Sequence, residues 1–226
     1  MNINTITKEK LIEYTRNFYE QYLYLCDIHN IYQDSHIAEV YGNPDTKMYF
    51  CMVASACIDS YMMTLARLYD KKSRNSDTIY KLIRICKYNK NFFANPEKMF
   101  DFLTERGEFL KKEEFLNNAI TVIRHRRNKY IAHNDAEYFS HSLLSDKAVQ
   151  DHSYMPFYEV WMLVNFTGDL LEKILAGLGV KPDMNCKYNR EFFKLFPELE
   201  IHRINPLQRN FDVSGSSEPS EAFEIF

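Results

Sequence analysis

The chain has 226 residues, and 46% of them are apolar, with 16 tyrosines and 17 phenylalanines available for a large buried core. Its 28 basic and 31 acidic side chains give a formal charge of −3, which excludes a protein that holds nucleic acid through a globally positive surface. Only six glycines and seven prolines interrupt the sequence, a composition that favours long helices over a sheet with many tight turns.

Cysteine usage and the amino-terminal residues bear on where the protein resides. The five cysteines include no C-x-x-C pair, and their odd number is typical of reduced thiols. The segment MNINTITKEK contains no apolar signal core, and the apolar run from Met48 to Ile58 is too short to span a bilayer. We therefore expect a soluble cytoplasmic protein without a membrane partner.

The first two predicted helices are long. From about Thr7 to Tyr32, apolar and aromatic residues recur every three or four positions, which is the helical period, and Thr7 is a suitable N-cap. The second helix, from about Thr46 to Asp70, is apolar around most of its circumference. This pattern predicts a central position in a helical bundle.

Four further helices are predicted before the composition of the chain changes. Pro96 marks a first helical turn, and Gly177 with Gly179 ends the last helix. These helices span about 77–87, 96–106, 111–132 and 155–178, with a polar loop over 134–152. We expect an all-α fold, an antiparallel bundle of four to five long helices plus short helices, over residues 1–180. A C-terminal extension with a short helix is expected over 181–211 and a flexible tail over 212–226.

The end of the fifth helix, RHRRNKYIAHND over residues 124–135, concentrates positive charge in a chain that is acidic overall. At 100° per residue, Leu116, Ile120 and Ile123 project within about 40° of Arg127. Arg127 therefore lies on the apolar stripe, where an isolated charge is unfavourable by several kcal/mol. It must be paired, open into a wet cleft or face another subunit. Asp59 and Asp70 are the partners expected for a purely structural pair.

His133 lies about 120° around the helix and about 9 Å along its axis from Arg127, if the helix continues regularly. The pair Asn134-Asp135 ends helices, so an unwound last turn can bring the imidazole back towards the guanidinium. A second copy related by a two-fold axis produces the same convergence. In the structural alternative, His133 only interacts with the last carbonyls of the helix.

This combination of side chains suits cleavage of a phosphodiester. A guanidinium binds phosphate oxygens with forked donors, and an imidazole with a pKa of about 6.5 transfers protons near neutrality. RNA carries its own nucleophile, the 2′-hydroxyl, so no metal or other cofactor is needed. The sequence has neither an H-E-x-x-H motif nor clustered aspartates typical of a two-metal site.

Residues 127–135, RNKYIAHND, preceded by LARLYD at residues 65–70, resemble the signature of the HEPN superfamily, the higher-eukaryote and prokaryote nucleotide-binding helical domains. The resemblance extends over about Thr7 to Gly179 and is greatest to the abortive-infection, AbiU-like branch. It implies a helical bundle that dimerises so that two motifs face one cleft. Many HEPN proteins are metal-independent endoribonucleases that act as toxins or phage-defence effectors, whereas others bind nucleotides or partners without catalysis.

The resemblance also implies roles for individual residues. Arg127 would orient the scissile phosphate and stabilise its developing charge, and His133 would be the general acid or base. Asn128 would assist as the polar neighbour, while Lys129 and Arg124 would contact the substrate. The positions expected to support the site through hydrogen bonds are Asp70, Arg67, Tyr130 and Asp135.

Two functions follow from this sequence. The first is a homodimeric ribonuclease that acts on RNA and is restrained by an antitoxin, either a nucleotidyltransferase-like or a DNA-binding protein. The second is a non-catalytic module that binds a nucleotide or a protein, which the negative charge of the chain favours. RNA cleavage that depends on Arg127 and His133 distinguishes the first from the second.

Overall fold

The structure, a computed structural model, describes residues 6–70, 77–127 and 157–182. Across these ranges all regular structure is helical, which confirms the all-α prediction. Short 3-10 turns at Pro44–Thr46 and Lys90–Phe92 accompany six α-helices. The helices are α1 (Lys8–Tyr41), α2 (Lys47–Leu68), α3 (Ile79–Tyr88), α4 (Pro96–Lys112), α5 (Glu114–Arg126) and α6 (Phe157–Gly177). The predicted loop and tail, and the predicted extension apart from residues 181–182, lie outside the described residues.

Side-chain caps set three of the helix starts. The side chains of Thr7, Thr78 and Asn95 each accept a hydrogen bond from the backbone N–H three residues further on, at 3.1 to 3.3 Å. These bonds satisfy donors that a helix start otherwise leaves unpaired. The predicted cap at Thr7 and the predicted start at Pro96 are therefore confirmed.

Helix α1 continues to Tyr41, well past the predicted end near Tyr32. The polar sequence that suggested a connection includes Asp34 and Ser35, and both are buried. Because α1 packs along α2, burial in this contact extends the helix beyond the point at which its local pattern fades. Gly42 then ends it, donating its N–H to the carbonyl of Ala38.

Helix packing produces one large core. Helix α1 packs against α2 and α6, α5 contacts both α2 and α6, and α3 pairs with α4. Fully buried leucines and isoleucines from all these helices meet in the core, including Leu25, Leu65, Ile85, Leu103, Leu116 and Leu170. The pair formed by α3 and α4 therefore lies on a bundle of α1, α2, α5 and α6.

The predicted central position of α2 is correct only for its C-terminal half. Tyr61 and Leu65 are buried there, whereas Met48, Tyr49 and Met52 near the N-terminus are exposed. No described helix covers that face of the N-terminal half. The apolar residues around the circumference of α2 therefore did not indicate burial along its whole length. The segment Pro44–Leu68 is long and apolar enough to cross a membrane by length and composition. One such helix is weak support for a span, because core helices of soluble proteins share these properties.

Candidate active site at the end of helix α5

Arg127 directly follows α5, on the face that packs into the core. Leu116, Ile120 and Ile123 are all buried and form the apolar stripe that the helical period predicts. The side chain of Arg127 extends this stripe and retains 22% exposure. The guanidinium is therefore mostly enclosed by protein but still reaches solvent.

An aspartate at the end of α2 holds this arginine. Arg127 donates from Nη1 to Oδ2 of Asp70 at 3.0 Å, and the Asp70 side chain is only 16% exposed. This ion pair is one of the two structural pairings that the sequence offered for Arg127. A charge-assisted hydrogen bond in such an enclosed position is stronger than a pair in open solvent.

The position of Asp70 is determined by its neighbour Tyr69. Tyr69 is buried, and its hydroxyl lies 2.6 Å from Oγ1 of Thr167 on α6. Burial raises the pKa of Tyr69, so the hydroxyl stays neutral. Its backbone N–H bonds to the carbonyl of Leu65, which completes the last turn of α2. Asp70 therefore leaves α2 at a fixed point, next to the end of α5.

The structure thus brings together two of the sequence-predicted site residues, Arg127 and Asp70. Arg124 lies one turn earlier on α5 and is half-buried, while Arg67 is exposed near the end of α2. No described contact joins either of them to the ion pair. The remaining predicted site residues lie outside the described residues, namely Asn128, Lys129, Tyr130, His133 and Asp135.

Potential metal ligands are dispersed in the described part of the chain. No group of three or more histidine, cysteine, aspartate and glutamate side chains that could hold a metal ion occurs among residues 6–70, 77–127 and 157–182. The cysteines in these ranges, Cys26, Cys51, Cys57 and Cys86, form no disulfide bonds. Burial raises the pKa of Cys86, so its thiol stays protonated and is a poor nucleophile.

A cavity of about 790 Å³ opens next to the ion pair, between α3 and α4. Asp70 is one of its lining residues, and side chains of both helices form its walls. None of these α3 and α4 residues is among the site residues that the sequence predicts. One local signal was available, since α3 has Lys81, Arg84 and Lys87 at three-residue spacing and no acidic residue.

Comparison with known protein families identifies the family to which this chain belongs. A family model, HEPN_AbiU2, described as AbiU2, matches residues 8–186. The chain belongs to the AbiU2 family. The matched segment includes both Asp70 and the whole of residues 127–135, so the resemblance drawn from that motif is confirmed. No curated protein and no solved structure gives a significant match.

AbiU2 membership supports a HEPN-type nuclease or an abortive-infection role at the level of the family. In this AbiU2 chain, the first residue of the motif is Arg127. The Asp70 carboxylate orients its guanidinium, which still reaches solvent. Such a group is suited to bind a phosphate, because its planar donors match two phosphate oxygens at once.

Proposed function

We propose that this AbiU2 protein is a metal-independent endoribonuclease that acts in abortive infection, with Arg127 and His133 as its catalytic residues. The observation that carries the proposal is the hydrogen bond from Arg127 to Asp70 in a mostly enclosed position that still reaches solvent. A long, flexible arginine side chain placed in this way is oriented before any substrate arrives. Preorganised charge of this kind is what stabilises a transition state most effectively.

Arg127 binds the scissile phosphate in this mechanism. A guanidinium carries five N–H donors in a planar fork, and the bond to Asp70 involves Nη1. The phosphate gains negative charge on its non-bridging oxygens as the 2′-oxygen attacks. A fixed positive charge beside those oxygens stabilises the transition state more than the ground state, which is the condition for a faster reaction.

His133 carries out one of the two proton transfers. The 2′-hydroxyl loses its proton as the O2′–P bond forms, and the P–O5′ bond breaks as the leaving 5′-oxygen takes up a proton. The products are a 2′,3′-cyclic phosphate and a 5′-hydroxyl, so the atoms and charges balance without a metal or a water nucleophile. In a homodimer, His133 of a second copy supplies the other transfer, with one imidazole acting as base and one imidazolium as acid.

The proposed partners follow from this chemistry. RNA is the substrate, a second copy of the chain completes the site, and an antitoxin restrains the nuclease in the cytoplasm. The exposed apolar side chains Met48, Tyr49 and Met52 of α2 lie about 30 Å along that helix from Asp70, at 1.5 Å per residue. They lie at the opposite end of α2 from Asp70.

The test compares wild type with Arg127→Ala and His133→Ala on mixed cellular RNA in the presence of a metal chelator. Each substitution should reduce the cleavage rate by about 100-fold or more, because each removes a group that acts on the reacting atoms. Lys173→Ala, an exposed position on α6, is the control and should cleave as wild type does. Equal cleavage by all four proteins would show that the active-site assignment is wrong.

A second function, binding of a nucleotide or a protein without catalysis, is favoured by the same ion pair. Asp70 already balances the charge of Arg127, as it would in a bundle where that arginine is structural. Recovery of an intact nucleotide with the purified protein, together with no cleavage by wild type, would establish this function in place of the first.

A further inference from the structure

The groove between α3 and α4 has an apolar floor and polar edges. Ile83 and Leu103 are buried at its base, and its volume of about 790 Å³ exceeds what one or two side chains could fill. A Cβ atom at Gly107 in the α4 wall would meet only Cγ2 of Ile83, at 3.9 Å. The absence of a side chain at Gly107 therefore leaves this part of the groove open.

The charge of the groove is opposite to that of the whole chain. Four cationic side chains line it, against two carboxylates, which leaves a net charge of +2 in a chain whose total is −3. One of the carboxylates, Asp70, is paired with Arg127 and the other, Glu108, with Lys111. Arg84 is exposed and has no carboxylate partner among the described residues. A local positive field therefore remains along the α3 edge.

Aromatic rings lie beside these cations. The Tyr88 side chain is 68% exposed at the end of α3, so its ring is accessible from solvent. Nζ of Lys87 lies 4.7 Å from the centre of the Phe100 ring across the groove. Cations that contact phosphates and ring faces on which bases stack are the two features by which proteins hold single-stranded nucleic acid.

The edge of the groove is fixed to the rest of the bundle. Asp77, just before α3, accepts hydrogen bonds from Lys81 at 2.7 Å and from the Tyr14 hydroxyl of α1 at 2.8 Å, both at Oδ1. Partial burial opposes ionisation of Asp77, but these two bonds outweigh it and lower its pKa, so the carboxylate stays charged. The N-terminal end of helix α3 is therefore held to α1.

We propose that this groove binds single-stranded RNA and leads the strand to Arg127, an inference that rests on the proposed endoribonuclease function. The decisive juxtaposition is Asp70, which lines the groove and also bonds to Arg127. From Tyr80 to Tyr88 the α3 wall is about 12 Å long at 1.5 Å per residue. If the bases stack at about 3.4 Å per nucleotide, as in one strand of a duplex, that length accommodates about three nucleotides.

The test measures binding of a ten-nucleotide single-stranded RNA by fluorescence anisotropy, in a His133→Ala background so that the RNA stays intact. The double variant Arg84→Gln/Lys87→Gln removes two cations from the groove. Arg16→Gln/Lys173→Gln, which removes one arginine and one lysine from exposed helical positions outside the groove, is the matched control. We expect the groove variant to bind about 10-fold or more weakly at 0.1 M salt. Its log affinity should also lose about 1.4 units of slope against log salt, at about 0.7 per phosphate contact.

A second pair of variants tests stacking. Tyr88→Ala should weaken binding by about 5-fold or more, because an aromatic platform for a base is lost. Tyr49→Ala removes a comparably exposed tyrosine from α2, far from the groove, and should have no effect. Equal effects of the two substitutions would contradict a role for Tyr88 in stacking.

Cleavage assays separate the groove from the catalytic assignment. In an otherwise wild-type protein, Arg84→Gln/Lys87→Gln should raise KM for the ten-nucleotide RNA and leave kcat for a dinucleoside monophosphate unchanged, because that substrate does not extend into the groove. Equal weakening of RNA binding by the groove and control variants would overturn the groove proposal even if wild type cleaves RNA. If only the groove variant binds RNA more weakly and none of the proteins cleaves RNA, the groove is still an RNA-binding site, but the proposed ribonuclease activity is refuted. Polyglutamate, used as a second anionic probe, tests whether the groove binds an acidic protein instead. If the groove variant loses affinity for polyglutamate but binds RNA as wild type does, the RNA proposal is refuted.

Discussion

The ion pair between Asp70 and Arg127 yields the sharpest quantitative prediction. A double-mutant cycle with Asp70→Ala, Arg127→Ala and the double substitution isolates its coupling free energy. Each single substitution leaves a charged group in a mostly enclosed position without its partner, since Asp70 is 16% and Arg127 is 22% exposed. The double substitution removes both charges, so it should be about as stable as either single variant.

The magnitude follows from the separation and the burial. At 3.0 Å, two unit charges attract by about 5 kcal/mol if the effective dielectric constant is about 20. Desolvation of both groups offsets roughly half of this, and net values for hydrogen bonds to charged groups are about 1.5–3 kcal/mol. We therefore expect a coupling free energy of about 2 kcal/mol.

Urea denaturation followed by circular dichroism supplies the four free energies of unfolding. The pair formed by Arg106 and Asp169 is an internal control, because its separation of 2.8 Å is similar but its side chains are 28% and 43% exposed. The coupling of this more exposed pair should be at most about 1 kcal/mol. A coupling below about 0.5 kcal/mol for Asp70 and Arg127, or one smaller than that of the control pair, would refute this physical reasoning.

The same variants separate a structural role of Arg127 from a catalytic one. Asp70→Ala keeps the guanidinium but removes what orients it, so cleavage should fall by about 10- to 100-fold. Arg127→Ala should lose at least as much activity, and the double variant should recover none. Faster cleavage by Asp70→Ala would mean that the carboxylate blocks the arginine instead of positioning it.

Two further predictions concern stability. Burial lowers the pKa of His29, which stacks on Trp161 at 4.2 Å, to about 4. Between about pH 4 and 6.5 the unfolded chain therefore binds more protons than the folded chain does. When the pH falls from 7 to 4.5, the free energy of unfolding of wild type should decrease by about 2–3 kcal/mol more than that of His29→Phe. Urea denaturation at the two pH values measures this difference. Equal decreases in the free energy of unfolding for wild type and His29→Phe would contradict the lowered pKa of His29. Gly107→Ala should raise the free energy of unfolding by about 0.5–1 kcal/mol, because its Cβ fits, whereas Gly168→Ala should lower it because its Cβ would lie 2.5 Å from the Tyr22 ring. The same sign for both glycine variants would refute this interpretation of the space around them.

The sequence predicted the helices well where local signals determine them. Caps such as Thr7 and Asn95 and the first-turn Pro96 act within one turn, so they identify helix starts from sequence alone. The end of α1 was wrong because Asp34 and Ser35 are buried only once α2 packs against α1. The exposure of Met48 on α2 likewise depends on which face a second helix covers.

The candidate site was predictable only where local sequence signals determine it. Helical periodicity places Arg127 on the apolar stripe, and the end of α2 makes Asp70 one of two available partners for it. The groove could not be predicted, because its walls come from two helices that become neighbours only in the folded chain. The basic spacing on α3 was visible, but the facing Phe100 and the open space at Gly107 were not.

The chemistry of the cut ends tests the central claim most directly. RNA incubated with wild-type protein in a metal chelator should yield fragments that end in a 2′,3′-cyclic phosphate and begin with a 5′-hydroxyl, identified by mass spectrometry. Fragments with a 5′-phosphate and a 3′-hydroxyl, or cleavage that stops when the chelator is added, would contradict attack by the 2′-hydroxyl.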